Sequence, residues 1–167
     1  MLDTLFTPET VAVVGASRTP GKVGHDILAN LIEGGFEGKI IPINPAGGTI
    51  LGLEVYAHIR QYEGQVDQTI IAIPKEHVLE TVKEALNKGT KSVIMVSSGF
   101  KETGEIGASL EEEIATLCKR GGARLLGPNC LGLINTRNKL NSSFAGSMPI
   151  QGKISVFSQS GALCAAI

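Results

Sequence analysis

One stretch restricts the possible folds more than any other: Val11-Ala-Val-Val-Gly-Ala-Ser-Arg-Thr-Pro-Gly-Lys-Val-Gly24. Small and β-branched apolar residues run up to a glycine, then a polar, glycine-punctuated loop leads into an amphipathic helical pattern. That succession is the first strand–loop–helix unit of a doubly wound α/β domain. It aims backbone N–H groups and a helix N-terminus at an anion such as a diphosphate. The loop lacks the Gly-x-Gly-x-x-Gly spacing of the dinucleotide fingerprint. It also lacks the Gly-Lys-Ser/Thr of a phosphate loop, because Val23 follows Lys22. A nucleotide-like ligand is expected, and the two commonest kinds fit poorly.

The remaining apolar runs are short, continuous and β-branched, as parallel strands buried on both faces require. Strands are expected near Val11–Val14, Lys39–Ile43, Gln68–Ile73, Ser92–Val96, Arg124–Leu126 and Lys153–Phe157. Helical stripes lie between them: Ile27, Leu28, Leu31 and Ile32; Val78, Leu79, Val82 and Leu86; Leu110, Ile114, Leu117 and Cys118. Each ends on glycine just before the next strand (Gly34-Gly35, Gly89, Gly121-Gly122). The stretch Asn44–Glu63 is irregular, with a short helix expected near Tyr56–Gln61. The fold class is therefore α/β, a Rossmann-like, doubly wound, mainly parallel sheet with helices on both faces. A strand order of 3-2-1-4-5 is expected, which sets the first and fourth strands side by side. Ligand is then expected between the loop after Val14 and the loop Ser97-Ser-Gly-Phe100.

At 167 residues the chain holds one good core and room for the start of another. We expect a first domain over 1–150, and in 151–167 a final strand with the beginning of a second, flavodoxin-like domain. A net charge of −1 offers no field for nucleic acid or a membrane surface. No apolar run is long enough to span a bilayer, and the N-terminal residues do not read as a signal peptide. Cys118, Cys130 and Cys164 are odd in number and widely spaced, as expected of reduced thiols in a cytoplasmic protein.

Ser17, Arg18, Thr19 and Lys22 read as a phosphate cradle rather than an ordinary polar turn, because they follow the first strand of a wound sheet. The second strand ends Ile41-Pro42-Ile43-Asn44-Pro45 without the carboxylate that grips the ribose of NAD, and the next arginine is Arg60. The missing acid leaves space for a phosphorylated ribose, such as the 3′-phospho-ADP of coenzyme A. Ser97, Ser98 and Gly99 suit either a ligand edge or plain helix-entry chemistry. Cys130, in Gly127-Pro-Asn-Cys-Leu-Gly132, reads as a small buried hydrophobe, since no histidine falls in a strand-end loop to activate it. His25, His58 and His77 share no metal-ligand spacing and read as solvated or structural. Glu111, Glu112 and Glu113 form a solvated helix start that suits the dipole. Ser158-Gln-Ser-Gly161 repeats the strand, polar turn and helix sequence as a possible oxyanion or phosphate site.

Six segments occur in one order: VAVVGASRTPGKVG, IIPINP, IAIPKEHV, VSSGFKETG, LLGPNCLGLIN and KISVFSQSGAL. Together they resemble the N-terminal CoA-binding domain of the NDP-forming acyl-CoA synthetases. These include the α subunit of succinyl-CoA synthetase and, more closely, ADP-forming acetyl-CoA synthetase. The resemblance implies an acid–CoA ligase that works through acyl-phosphate and phosphohistidine steps. It implies coenzyme A or acyl-CoA against Gly15, Ala16, Ser17, Arg18, Thr19, Pro20 and Lys22, with Asn44 and Pro45 near the ribose phosphate. Ile73 and Pro74 would lie beside the adenine, Val96, Ser97 and Ser98 along the CoA chain, and Asn129 and Cys130 toward the thioester. Ser158, Ser160 and Gly161 match the segment that helps hold the phosphohistidine phosphate.

Two departures stand out. In succinyl-CoA synthetase a lysine follows the Pro-Gly after the second strand, whereas here the run is Pro45-Ala-Gly-Gly48, which moves that phosphate contact to Lys22 or Arg18 or removes it. The phosphohistidine belongs to a second domain, and none of the three histidines here occupies a matching motif. The chain is expected to bind CoA with no catalytic residue of its own. ATP or ADP and Mg would be confined to other ligase domains or a β (ATP-grasp) subunit. Two other readings remain open: a regulatory CoA-binding module of a protein lysine acetyltransferase, and an NAD(P)-dependent oxidoreductase domain.

Overall fold

The computed structural model describes residues 2–166. The order begins with a short helix α1 (Asp3–Phe6), strand β1 (Thr10–Val14), helix α2 (Val23–Glu33) and strand β2 (Lys39–Ile43). A two-stranded hairpin follows, β3 (Thr49–Ile50) with β4 (Leu53–Glu54), and then a 3-10 turn over Ile59–Gln61. The chain continues through β5 (Gln68–Ile71), α3 (Val78–Asn87), β6 (Ser92–Met95), α4 (Glu105–Arg120) and β7 (Arg124–Leu126). A second hairpin, β8 (Gly132–Asn135) with β9 (Leu140–Ser143), precedes the terminal helix α5 (Gly161–Ala166). No described helix is long and apolar enough to cross a membrane.

The five parallel strands line up as β2-β1-β5-β6-β7. Both faces are covered, which explains the unbroken apolar runs. On one face Val11, Val13, Ile70 and Ile94 pack with Ile27, Leu28 and Leu31 of α2 and with Leu140. On the other, Ile71, Val93 and Met95 meet Val78 and Val82 of α3 and Ile114 and Cys118 of α4. Ala12, Val14, Ile41 and Ile43 complete that second face with Ile59, Val66 and Ala85. Period-two alternation is present throughout, hidden because both sets of side chains are apolar.

This order corrects one expectation. β5 sits beside β1, so the five parallel strands, counted in chain order, run 2-1-3-4-5, and the first and fourth are not neighbours. The cause lies in the irregular stretch after β2. Tyr56 forms a parallel bridge to Ile43, Asn44 N–H donates to the Tyr56 carbonyl at 2.9 Å, and Tyr56 N–H donates to the Pro42 carbonyl at 3.0 Å. The free edge of β2 is therefore already taken, and β5 must pair on the other side of β1. The winding reverses between β1 and β5.

Two further differences follow from polar chemistry and from missing partners. The β8–β9 hairpin was absent from the expected strands because most of its buried residues are polar: beside Leu140, Asn141, Ser142 and Ser143 are buried. Ser142 Oγ donates to Gln68 Oε1 at 2.6 Å, and Gln68 Nε2 donates to the Leu5 carbonyl at 2.9 Å. Asn30 of α2 donates to the carbonyls of Ser143 (2.9 Å) and Ala145 (2.6 Å). Conversely, the expected strand Lys153–Phe157 does not form: the segment has no regular structure, and Ile154 and Phe157 are 89% and 90% exposed.

Replacing Ser142 with alanine strips the buried Gln68 carboxamide oxygen of its donor. The expected cost is about 1–3 kcal/mol. It is read as a lower urea midpoint at unchanged slope, a changed slope pointing instead to altered compactness.

Candidate functional site

The carboxyl ends of the strands gather the loops that the sequence singled out. β1 continues into Gly15, whose φ of +91° suits glycine alone. The N–H groups of Gly15 and Ala16 both donate to the Ile43 carbonyl, at 3.0 and 3.2 Å, so the loop leaves the sheet tied to β2. Gly24, in the first turn of α2, lies so close that a methyl group there would collide with the Gly15 carbonyl. A methyl at Gly15 would strike the Ala72 carbonyl beyond β5. Strand end and helix start are thus drawn tightly together.

The loop between them is ordered by its own polar groups. Ser17 Oγ accepts from Thr19 N–H at 3.1 Å, Asp26 Oδ1 accepts from Gly21 N–H at 3.1 Å, and Lys22 N–H donates to the Thr19 carbonyl at 3.2 Å. His25 Nδ1 lies 2.9 Å from the Ser17 carbonyl, which only accepts, so Nδ1 carries the proton. The backbone N–H groups of Ser17, Arg18, Val23 and Gly24 meet no acceptor among the described residues. The last two are orphan donors of a helix N-terminus, where anions bind.

Each neighbouring loop is laced to the next. Asn44 Nδ2 donates to the Ala16 carbonyl at 2.8 Å while its Oδ1 accepts from Ala46 N–H at 2.9 Å, so the residue in the place of the ribose-binding acid is a neutral brace. The Arg18 guanidinium donates to the Gly47 carbonyl. Beyond β5 and β6, Ser97 Oγ donates to the Ile73 carbonyl at 2.6 Å and accepts from Ile73 N–H at 3.1 Å. Its hydroxyl is therefore engaged in joining two loops, while Ser98 is exposed. Asn129 N–H donates to the Ser97 carbonyl at 3.0 Å, extending the chain of contacts to the Gly127–Gly132 turn. The structure thus brings together Gly15–Lys22, Asn44–Pro45, Ile73–Pro74, Val96–Ser98 and Asn129–Cys130 at one end of the sheet. With the winding reversal between β1 and β5, the switch point at which a ligand is expected lies between Gly15–Lys22 and Ala72–Pro74, not beside Ser97–Phe100 as the expected strand order implied.

Cys130 behaves as the small hydrophobe its context suggested. Its Sγ donates to the Met95 carbonyl at 3.3 Å, and burial pushes the thiol from its ordinary value of 9.0 up to about 11. Cys118, on the buried face of α4, is pushed to about 11 by burial alone. Glu102 lacked any role in the sequence reading. Its carboxylate accepts the Gly99 N–H at 2.6 Å, a bond that holds it below the usual carboxylate range, with Lys75 nearby lowering it further. The available signal was only the spacing, a glutamate three residues past Gly99 that can reach back to its N–H. Ser158 and Ser160 stand apart: Ser158 Oγ accepts from Ser160 N–H at 3.0 Å, and Ser160 Oγ accepts from Leu163 N–H at 3.3 Å. Their turn touches the main body near Leu131, whose Cβ would lie 3.6 Å from a methyl at Gly161. An open cleft of about 570 Å³ lies at the opposite end of the sheet, by Thr10, Lys39 and Lys139, away from all these loops.

Comparison with known proteins agrees with this geometry. A family described as "CoA binding domain" matches residues 9–136. The chain is 42% identical, over 97% of its length, to acetate–CoA ligase (ADP-forming) I subunit alpha of Pyrococcus furiosus, and covers 36% of that protein. It is 45% identical, over 94% of its length, to acetate–CoA ligase (ADP-forming) II of Archaeoglobus fulgidus, covering 24% of it. The dinucleotide forming acetyl-coenzyme A synthetase 1 of Ca. Korarchaeum cryptofilum, solved in complex with phosphate and ADP, superposes with a TM-score of 0.95 at 38% identity. That match spans 99% of this chain and 35% of the other. The chain thus covers 24% to 36% of the length of these relatives.

Thiolate, not thiol, attacks alkylating agents. Cys118 and Cys130 in the folded protein should therefore react with iodoacetamide far more slowly at pH 8 than glutathione does, accelerating as the pH approaches 11. The same shift makes their contribution to stability complete below pH 9 and lost between about 9 and 11. Peptide mapping by mass spectrometry reads the alkylation. Full labelling at pH 8 without unfolding would contradict the burial described.

Proposed function

Since the chain belongs to the CoA-binding domain family, we propose that it holds the nucleotide of coenzyme A across the crevice between the loops after β1 and β5. It does so as the CoA-binding portion of an ADP-forming acid–CoA ligase, an acetate-type enzyme by similarity to the relatives above. The observation that carries this reading is the set of unmet N–H groups at Ser17, Arg18, Val23 and Gly24, beside a β2 end without a carboxylate. Unmet donors at a helix start suit a diphosphate. A neutral Asn44 in place of an acid disfavours the free ribose diol of NAD.

In this reading Gly15, Ala16, Ser17, Arg18, Thr19, Pro20 and Lys22 line the phosphates. Asn44 and Pro45 border the ribose, and Ile73 and Pro74 offer an apolar edge to the adenine. Val96 and Ser98 flank the pantetheine arm, with Ser97 holding Ile73 in place. Asn129 and Cys130 lie toward the thioester end, where a thiol this protonated serves packing rather than attack. The acyl transfer and the ATP-forming step belong to other parts of the enzyme, further ligase domains or a β (ATP-grasp) subunit that would carry ATP or ADP with Mg. Residues 151–167 are the start of the next domain. Exposed Ile150, Ile154 and Phe157, together with the greater length of the relatives, support that assignment. Ser158, Ser160 and Gly161 would help hold a phosphate there. The enzyme is cytoplasmic in this reading.

Titration calorimetry with CoA and with NAD tests the ligand. CoA is expected to bind and NAD to give little heat; tighter binding of NAD would overturn the reading in favour of a redox domain. A coupled assay tests the division of labour: the chain mixed with acetyl-CoA, phosphate, ADP and Mg is expected to yield no ATP. Sustained ATP formation would show that the catalytic groups reside here after all.

A further inference from the structure

Of the three histidines in the sequence, one lies inside the candidate site with a task that the coenzyme reading does not use. His25 is the third residue of α2 and half-buried, and its Nδ1 lies 2.9 Å from the Ser17 carbonyl. The loop it reaches has little packing to hold it. Arg18, Thr19, Pro20, Gly21 and Lys22 are all exposed, so hydrogen bonds must fix the turn. Two neighbouring side chains of α2 reach back to it. Asp26 Oδ1 accepts the Gly21 N–H at 3.1 Å and holds the half nearer the helix, while His25 holds the half nearer β1.

The unmet N–H groups of that half follow from which carbonyls are held. In a planar trans peptide the carbonyl and the next residue's N–H point in opposite directions. Asn44 Nδ2 donates to the Ala16 carbonyl at 2.8 Å, which turns the Ser17 N–H away from Asn44. His25 takes the next carbonyl, that of Ser17, and turns the Arg18 N–H away from α2. Neither N–H meets an acceptor among the described residues. We propose that His25 is a positioning residue for the nucleotide. By gripping the Ser17 carbonyl through Nδ1–H it sets the Ser17–Arg18 peptide plane, and so aims the Arg18 N–H at the diphosphate. This role rests on the nucleotide-binding reading above and is exerted through the backbone, without contact to the ligand. It demands one tautomer: a carbonyl only accepts, so Nδ1 must carry the proton. A peptide plane left free to turn would have to be ordered by the ligand itself, at a cost in affinity.

Titration calorimetry on the whole chain with CoA, dephospho-CoA and ADP reads this role, since all three carry the diphosphate. His25→Gln, whose amide nitrogen lies one atom beyond the Nδ1 position, should weaken all three about tenfold. His25→Asn places its amide nitrogen where Nδ1 stands and should restore most of that loss. Nitrogen-15 NMR of the free wild-type chain at pH 8 should show His25 as the Nδ1–H tautomer. Urea midpoints of both variants check folding. A histidine needed only for stability would lower both midpoints alike without sorting affinity by donor position. Because the tautomer is read on the wild-type chain, the test survives a variant that fails to fold. Equal affinities in His25→Gln and His25→Asn, or the Nε2–H tautomer in the wild-type chain, would overturn the proposal while CoA binding stands. Loss confined to CoA, with ADP unaffected, would overturn it too, since the 3′-phosphate and not the diphosphate would then be the group affected. Failure of the wild-type chain to bind any of the three would remove the CoA reading and this role together.

Discussion

The close approach of α2 to the end of β1 governs the rest of the site. Gly24 against the Gly15 carbonyl, and Gly15 against the Ala72 carbonyl, leave no room for a single methyl group. Because of that contact the first helical N–H groups open directly onto the strand ends rather than onto a longer loop. The chain after Gly15 is pinned from the other side by the Ile43 carbonyl, which takes two N–H groups in succession. A backbone held this way offers a ligand donors whose positions do not depend on side-chain order, and little entropy is lost in aligning them.

From that contact the other loops are placed by a relay of short polar links. Asn44 binds the β2 loop to Ala16, Arg18 reaches to Gly47, Ser97 joins the loops after β5 and β6, and Asn129 joins Ser97 to the last turn. Most of these residues had been considered as ligand contacts, and the side chains of Asn44, Arg18 and Ser97 also brace the loops. The distinction matters for function, since a brace fixes where the backbone donors stand. The thiols of buried Cys118 and half-buried Cys130 fit the same pattern: desolvation keeps them protonated, and Cys130 spends its proton on the Met95 carbonyl.

Much of this was legible in the residue order, and the failures have specific causes. The five parallel strands and three main helices were readable because apolar periodicity and glycine stops coincide. The β8–β9 hairpin was not, because Asn141, Ser142 and Ser143 are buried by partners 74 or more positions away in one case and by local bonds in another, which no local pattern announces. Strand Lys153–Phe157 was predicted from composition that suits a strand. A strand also needs a neighbour, and no neighbour is supplied by the described residues. The Arg18–Gly47 contact escaped notice because it is made only in space, between two loops 29 positions apart.

What the sequence determined by itself is local and chemical: the parallel strands and main helices, the glycines that stop those helices, that the first loop suits an anion, and that β2 ends without an acid. Strand order was decided by tertiary structure alone. Tyr56 occupies the outer edge of β2, and hydrogen-bonding capacity on a strand edge can be spent only once, so β5 was forced to the far side of β1. The crevice moved with it. The same holds for Arg18: its charge is written in the chain, but its place above two glycines of another loop exists only once β1 and β2 lie in register.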